Sequence, residues 1–262
     1  MTHEEYWKQR QAEVAQRQYE LSAEKMTKQL KKIYEDMSDV IAEEIEQIWF
    51  KLLEDDIKRT DIWTYKHYRE LSKRMAILAA QVGAREEEIL NVQLEYALKE
   101  IYKDTPIPGT AFNLMNETLI KQIIATPWSE KHFSQAIWDN KAKMLEILKK
   151  GITKSIVLGE SKDKTVVKLR DLILATNKEK GFKGAFAEAD RLVRTELMHV
   201  INQGQKQRYK DNGYTRFEIV VAEDERTCER CSGLQGKIVS LEEDILPVHP
   251  RCRCTYIPVV EW

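Results

Sequence analysis

The residues best suited to bind a metal ion lie in the last 35 positions of the chain. A C-x2-C pair is followed, after seventeen residues, by H-x2-C-x-C. Two cysteines in one tight turn can bind the same ion at about 2.3 Å, and a second short cluster can complete a tetrahedron. Thiolate-rich sites favour zinc, and a segment this small has too little core to fold without such a cross-link. The pattern predicts a structural Zn²⁺ site formed by Cys228, Cys231, His249, Cys252 and Cys254.

Five candidate ligands compete for the four positions of a tetrahedral site. We expect Cys228, Cys231 and Cys254 to bind, with either Cys252 or His249 as the fourth ligand. Two disulfide bonds are the alternative, but the first 35 residues are too rich in charged side chains for a secretory signal. The zinc motifs of deaminases and of H-E-x-x-H metalloproteases are missing from the sequence. We therefore expect a closed, structural site.

The residues around the cysteines suit a rigid turn. The stretch 232–236, which ends at Gly236, is typical of a turn after a metal-binding cysteine pair. Pro247 and Pro250 restrict the backbone before the second pair. Both features favour a fixed arrangement of the cysteines.

Arg194, Thr195 and Glu196 place a cation, a hydroxyl and a carboxylate in consecutive positions of a predicted helix. Consecutive side chains on a helix point about 100° apart, so these three cannot converge on one substrate. We expect Arg194 or Glu196 to connect the helix to the C-terminal segment through an ion pair or a backbone contact.

Helical periodicity dominates the chain before residue 213. All ten glycines and all six prolines lie at or after Gly83, and apolar residues between Met26 and Leu52 recur every three or four positions. This spacing predicts a long amphipathic helix over residues 5–58, which either bends back on the protein or protrudes to meet a partner. Further helices are predicted over 61–102, 111–125, 129–150, 164–176 and 182–212, separated in part by Pro127, Gly151 and 159–161.

The last fifty residues have a different pattern. Apolar and polar residues alternate over 217–221, and similar short segments at 237–240 and 256–260 suggest two more strands. The predicted fold class is mainly α, with a helical body and a small zinc-stabilised β module at the C-terminus. We divide the chain into an N-terminal long-helix region, a helical body and the β module, at residues 1–108, 109–212 and 213–262.

The charge of the chain is nearly balanced, with 42 basic and 43 acidic residues, but it is unevenly distributed. Residues 141–216 carry 18 basic and 9 acidic side chains, a net charge of +9. Such a segment can contact DNA or an acidic protein surface, or it can be a solvated helical face. No stretch approaches the roughly 18 apolar residues of a membrane span, so we expect no membrane contact and a protein kept in a cytosol.

The C-terminal motifs resemble those of a known family. The strings 224–231 (DERTCERC), 234–237 (LQGK) and 249–254 (HPRCRC) are similar to motifs of the phage head morphogenesis domain, which is found in Mu F-like minor head proteins of tailed bacteriophages. The resemblance covers roughly residues 128–262. Its upstream part consists of 133–138, Arg194, Thr195, Glu196, Asn202, Gly204 and Tyr209.

The resemblance implies a minor capsid protein, made in the cytoplasm of an infected bacterium and built into the virion in the capsid interior or at the portal vertex. It implies the portal protein and capsid proteins as partners, a role in head assembly and in some members DNA packaging, and no enzymatic activity. We expect the N-terminal helices, which it does not cover, to contact the portal. Structural or interaction roles are implied for Arg194, Glu196, Asp224, Arg226, Gly236, Pro250 and Arg253.

The alternative function is a zinc-containing, metal-dependent nuclease that acts on DNA. His249 beside the second cysteine pair would be its general base. The neighbouring sequence offers no second histidine or asparagine at a useful spacing, so we favour the head protein.

Overall fold

The computed structural model describes residues 2–54, 66–110, 113–175, 184–222 and 224–260. Within these ranges the protein is mainly helical and carries a small antiparallel sheet near its C-terminus, as the sequence predicts. The helices are α1 (His3–Glu54), α2 (Lys66–Asp104), α3 (Glu117–Ala125), α4 (Phe133–Val157), α5 (Lys162–Leu174), α6 (Ala185–Lys210) and α7 (Glu229–Ser232). The strands are β1 (Arg216–Val220), β2 (Ile238–Ser240) and β3 (Thr255–Pro258).

The long first helix begins at His3 and continues to Glu54, and the predicted residues 55–58 lie outside the described ranges. Its buried residues are spaced by four, four and three positions, an average of about 3.67 that stays close to the period of a straight α-helix. Val40, one of the apolar residues between Met26 and Leu52, is 39% exposed because its neighbour Ile41 occupies the buried position. The buried face consists of Met26, Leu30, Tyr34, Met37, Ile41, Ile45 and Ile48.

Two glycines, Gly83 and Gly151, lie inside helices, although we expected Gly151 to separate two helices. A side-chain carbon on Gly83 of α2 would lie 2.9 Å from the ring of Trp138 in α4, and one on Gly151 of α4 would lie 3.0 Å from Leu172 in α5. Both glycines therefore allow close helix packing. The prediction that Gly151 separates two helices is wrong, because packing against α5 favours an uninterrupted α4.

The starts of two short helices depend on capping side chains. The predicted helix over 111–125 begins later, at Glu117, because the side chain of Asn116 accepts hydrogen bonds from the backbone N–H groups of Thr118 and Leu119. Ser161 caps α5 in the same way by accepting from the N–H of Lys164 at 3.3 Å. The predicted helical residues 61–65, 111–112, 176 and 182–183 lie outside the described ranges. The boundaries that fall within the described ranges differ from the prediction by a few residues.

The three strands form one sheet in the order β2-β1-β3. Phe217 in the central strand pairs with Val239 of β2 and with Pro258 of β3. The buried side chains of β1 pack with Tyr209 at the end of α6, with Tyr256 and with three of the four cysteines. The cysteines thus belong to the core of the β module, which we define as residues 213–260.

The chain forms two compact units, each assembled from separate stretches of sequence. The first unit consists of 1–26, 90–132 and 191–262, and the second consists of 27–89 and 133–190. The β module thus folds together with helical stretches distant from it in sequence. The division at residues 108 and 212 stays a prediction.

Among the helices that the structure describes, none combines the length and the apolar character that crossing a membrane requires.

Candidate metal centre

The first cysteine pair lies on a short helical turn. Cys228 immediately precedes α7, and Cys231 lies within it. The Nε2 atom of His249 is 3.2 Å from the Cys228 sulfur and 3.0 Å from the Cys231 sulfur. His249 therefore faces both cysteines of the turn.

The second cysteine pair meets the same turn from the other side. The sulfur of Cys231 lies 3.9 Å from that of Cys252, well beyond the roughly 2.05 Å of a disulfide bond. All four cysteines are free thiols, so the structure gives the disulfide alternative no support.

The five predicted ligands form two overlapping groups of three. Cys228, Cys231 and His249 make one group, and Cys231, Cys252 and Cys254 make the other; within each group the ligand atoms lie within 4.8 Å of one another. Ligands around a tetrahedral zinc are about 3.8 Å apart, given metal–sulfur bonds near 2.3 Å. The spacing and donor types fit a metal ion, so this cluster can hold one, with Cys231 shared by both groups.

The orientation of His249 suits a metal ligand. Its Nδ1 atom lies 2.8 Å from the carbonyl oxygen of Pro250, and a carbonyl can only accept, so Nδ1 carries the proton. The lone pair of Nε2 is then directed at Cys228 and Cys231. A ligating histidine commonly donates its second ring nitrogen to a carbonyl in this way, which gives Pro250 a role in setting the tautomer.

The pKa values of the buried thiols indicate crowded negative charge. Burial raises the pKa of Cys231 to about 12. A hydrogen bond from Cys254 lowers the pKa of Cys252 to about 5 and raises the pKa of Cys254 itself. Three buried thiols at this spacing cannot all ionise without a counter-charge, whereas a divalent cation stabilises every thiolate that binds it. The electrostatics therefore favour a cation in the cluster.

Helix α6 supports the segment that carries the second pair. The Thr195 hydroxyl accepts a hydrogen bond from the Arg251 backbone N–H at 3.1 Å, and the Asn202 side chain donates to the Cys254 carbonyl at 3.1 Å. Residues seven apart share a helix face, so Thr195 and Asn202 can hold both ends of the segment 251–254.

The Thr195 hydroxyl, which lies between Arg194 and Glu196 in the sequence, connects α6 to the C-terminal segment. A contact of Arg194 with that segment stays a prediction. Glu196 is buried and accepts a hydrogen bond from the Trp128 indole at 2.8 Å. Burial raises the pKa of Glu196 to about 7. Sequence reasoning missed Thr195 as the connection, although its distance of seven positions from Asn202 was a usable signal.

The remaining predicted residues shape the turn. Arg253 makes a two-point ion pair with Asp224, whose carboxylate also accepts from the Arg226 backbone N–H at 2.9 Å and from its guanidinium at 3.2 Å. The Arg253 guanidinium holds the pKa of the Asp224 carboxyl well below its usual range. Gly236 has a φ of +75°, a conformation that favours glycine, where the chain enters β2.

Acidic residues from elsewhere in the chain neutralise part of the basic segment 141–216. Lys162 and Arg170 of α5 pair with Glu46 and Asp39 of α1, at 3.2 and 2.8 Å. Lys141 pairs with Glu86 of α2 at 2.6 Å. These contacts offset part of the positive charge of the segment.

Comparison with known protein families gives a match in the C-terminal half of the chain. A family model described as Phage Mu protein F like protein matches residues 146–257. No curated protein and no solved structure matches the chain. The matched range contains α5, α6, β1, β2, most of β3 and all five candidate ligands.

Proposed function

We propose that the protein is a minor head (capsid) protein of a tailed bacteriophage, because residues 146–257 match the family model described as Phage Mu protein F like protein. The observation that carries this proposal is the coincidence of the family match with α6 and the whole cysteine and histidine cluster. Family membership implies association with the virion and with capsid or portal partners. Location at the portal vertex or in the capsid interior is part of our proposal.

The test is the protein content of purified heads from the phage that encodes the chain. We expect its peptides in virions or procapsids at a small fraction of the major capsid protein, with antibody label at one vertex. Normal head assembly in a phage that lacks the gene product would overturn the proposal. So would the absence of its peptides from both procapsids and virions.

We propose that the cluster binds one structural Zn²⁺. When bound, the ion supplies a tetrahedral cross-link and the positive charge that keeps the thiolates ionised. Elemental mass spectrometry should find about one zinc per chain. The ion should be lost in Cys231→Ser and kept in Glu229→Gln, a substitution of an exposed residue in the same turn.

We propose that the protein has no enzymatic activity. The geometry does not favour the nuclease alternative, because both ring nitrogens of His249 are engaged, one by Pro250 and one by the cysteines. Purified protein with Mg²⁺ or Mn²⁺ should leave plasmid DNA intact. Nicking that disappears in His249→Ala, while the fold survives, would establish the nuclease.

We propose that the N-terminal helices contact the portal. Val92 and Tyr96 of α2 are half-exposed, and their spacing of four positions places them on one helix face. Val92→Ser with Tyr96→Ser should reduce co-purification with the portal protein. Ile238→Ser, which removes a similarly exposed apolar residue from the β module, is the matched control.

We propose only a limited DNA contact for the basic segment, through exposed lysines of α4 such as Lys143 and Lys154. Retention on DNA should weaken steeply with salt. It should also decrease in the double variant Lys143→Glu with Lys154→Glu, but not in Lys28→Glu on α1. No retention at low salt would exclude the contact.

A further inference from the structure

The candidate metal centre is built from two halves that are fixed differently. The second half, residues 249–254, is fastened to α6 through Thr195 and Asn202. The first half is the turn that carries Cys228 and Cys231. Binding of one metal ion by both halves requires that this turn be held against residues 249–254.

Arg253 connects the two halves through its side chain. It lies between Cys252 and Cys254, and its guanidinium donates from both Nη atoms to the two carboxylate oxygens of Asp224, with Nη1 at 2.6 Å from Oδ2. The side chain of Arg253 is only 9% exposed, whereas that of Arg226, the other guanidinium on Asp224, is 66% exposed. The ion pair has two contact points and a nearly buried guanidinium, which fix both the distance and the orientation of the two side chains.

Asp224 in turn organises the backbone that leads to Cys228. Its carboxylate accepts from the backbone N–H of Arg226, and its carbonyl accepts from that of Thr227 at 2.9 Å. Thr227 also hydrogen-bonds through its hydroxyl to the carbonyl of Ala222. A displacement of the Asp224 carboxylate therefore displaces the tight turn 224–227, which ends one residue before Cys228.

We propose that the Asp224–Arg253 ion pair is a clamp that closes the Cys228–Cys231 turn over the bound metal and slows metal release. The inference rests on the proposed zinc centre. The coupling is reciprocal: metal bound next to Arg253 by Cys254 fixes the Arg253 backbone, while the clamp fixes the approach to Cys228. Asp224 and Arg253 are positioning residues, because neither supplies a ligand atom.

The test measures zinc release from the full-length protein. Zinc-loaded wild type, Asp224→Asn and Arg253→Gln are mixed with excess 4-(2-pyridylazo)resorcinol, and the absorbance of the zinc–dye complex gives the release rate. We expect release about tenfold faster in each variant, a typical effect of removing groups that orient metal ligands. Arg253→Lys keeps the charge but loses the two-point contact. Its zinc release should be slower than that of Arg253→Gln and faster than that of the wild type.

Two controls separate the clamp from a general charge effect. Arg230→Gln removes an equal charge from an exposed position between the two cysteines of the turn, and its release rate should match the wild type. The double variant Asp224→Asn with Arg253→Gln should release zinc no faster than either single variant, because both remove the same contact.

The outcomes distinguish the clamp from the metal centre itself. Wild-type protein that carries no zinc overturns both proposals. Wild-type protein that carries zinc, with release from Asp224→Asn and Arg253→Gln within twofold of its own, overturns the clamp alone. Equal acceleration in Arg230→Gln also overturns it. If Arg253→Gln cannot be loaded with zinc, the release rate of Asp224→Asn decides the question. This substitution keeps the shape of an exposed side chain.

Discussion

The β module and the second unit are stabilised in different ways. The module has three short strands, and three of its buried core residues are cysteines. The second unit is stabilised by long apolar helix faces, which also contain a buried ion pair between Lys141 and Glu86. The comparison indicates that a small core depends on specific polar and metal contacts, whereas long helices can depend on packing.

Metal removal is expected to have the largest effect and tests the comparison directly. Chelation, or the substitution Cys231→Ser, should abolish hydrogen-exchange protection in β1–β3, because the thiolates lose their cross-link and charge balance. Protection in α4 and α5 should persist. Exchange measured by mass spectrometry, with Glu229→Gln as control, checks both statements. Loss of protection in α4 and α5 to the same extent would contradict the distinction between the two regions.

The ion pair in the second unit should show the next largest effect. Glu86 is fully buried and accepts from the hydroxyl of Tyr34 at 3.0 Å, and Lys141 lies over the ring of Tyr34. Lys141→Met leaves the Glu86 carboxylate without its cation and should lower the free energy of unfolding by about 3–5 kcal/mol. Urea denaturation measures this change.

The exposed pair Lys150–Glu146 on α4 supplies the matched control for that variant. Lys150→Met should change the free energy of unfolding by less than about 1 kcal/mol, since exposed pairs contribute little. Equal effects of the two substitutions would show that burial of Glu86 does not matter to this unit.

A pH effect of intermediate size is expected in the first unit. Burial raises the pKa of Glu196 from an ordinary 4.5 to about 7, so the folded protein binds this proton more tightly than the unfolded chain. The resulting stability is fully present below pH 4.5 and is lost as the pH rises through about 7. Its size is on the order of 3 kcal/mol.

The variant Glu196→Gln should lack this pH-dependent component. The difference in free energy of unfolding between wild type and Glu196→Gln should change between pH 4.5 and 8. Glu130 is exposed and lies two positions from Trp128 in the sequence, and Glu130→Gln should have the same pH dependence of unfolding free energy as the wild type. Parallel pH profiles for wild type and Glu196→Gln would contradict the assignment.

The smallest effect concerns helix packing in the second unit. Gly83→Ala places a methyl group against the rigid ring of Trp138, which costs more than the roughly 1 kcal/mol that alanine gains in a helix, for a net loss of about 1 kcal/mol. Gly151→Ala meets the ends of two leucine side chains that can rotate, so its loss should be smaller. Thermal unfolding of both variants gives the comparison, and greater stability of Gly83→Ala would contradict it.

Local sequence patterns determined the elements and the chemistry of the site. The period of apolar residues predicts α1 and the strands because a helix and a strand expose faces at fixed repeats. The spacing of Cys228, Cys231, His249, Cys252 and Cys254 predicts a cluster because short spacings force neighbouring ligand atoms together. These features depend on residues close in sequence, so the sequence by itself was sufficient.

Only the tertiary structure showed which distant residues support the cluster. Thr195 lies 56 positions from Arg251, and Asp224 lies 29 positions from Arg253. No local repeat encodes either contact. Gly151 is a second example of a feature that the sequence alone does not predict. A glycine at this position suggests a helix end, but α4 continues because α5 packs against it. Contacts between residues far apart in sequence depend on how the elements pack, and packing is decided by the whole fold.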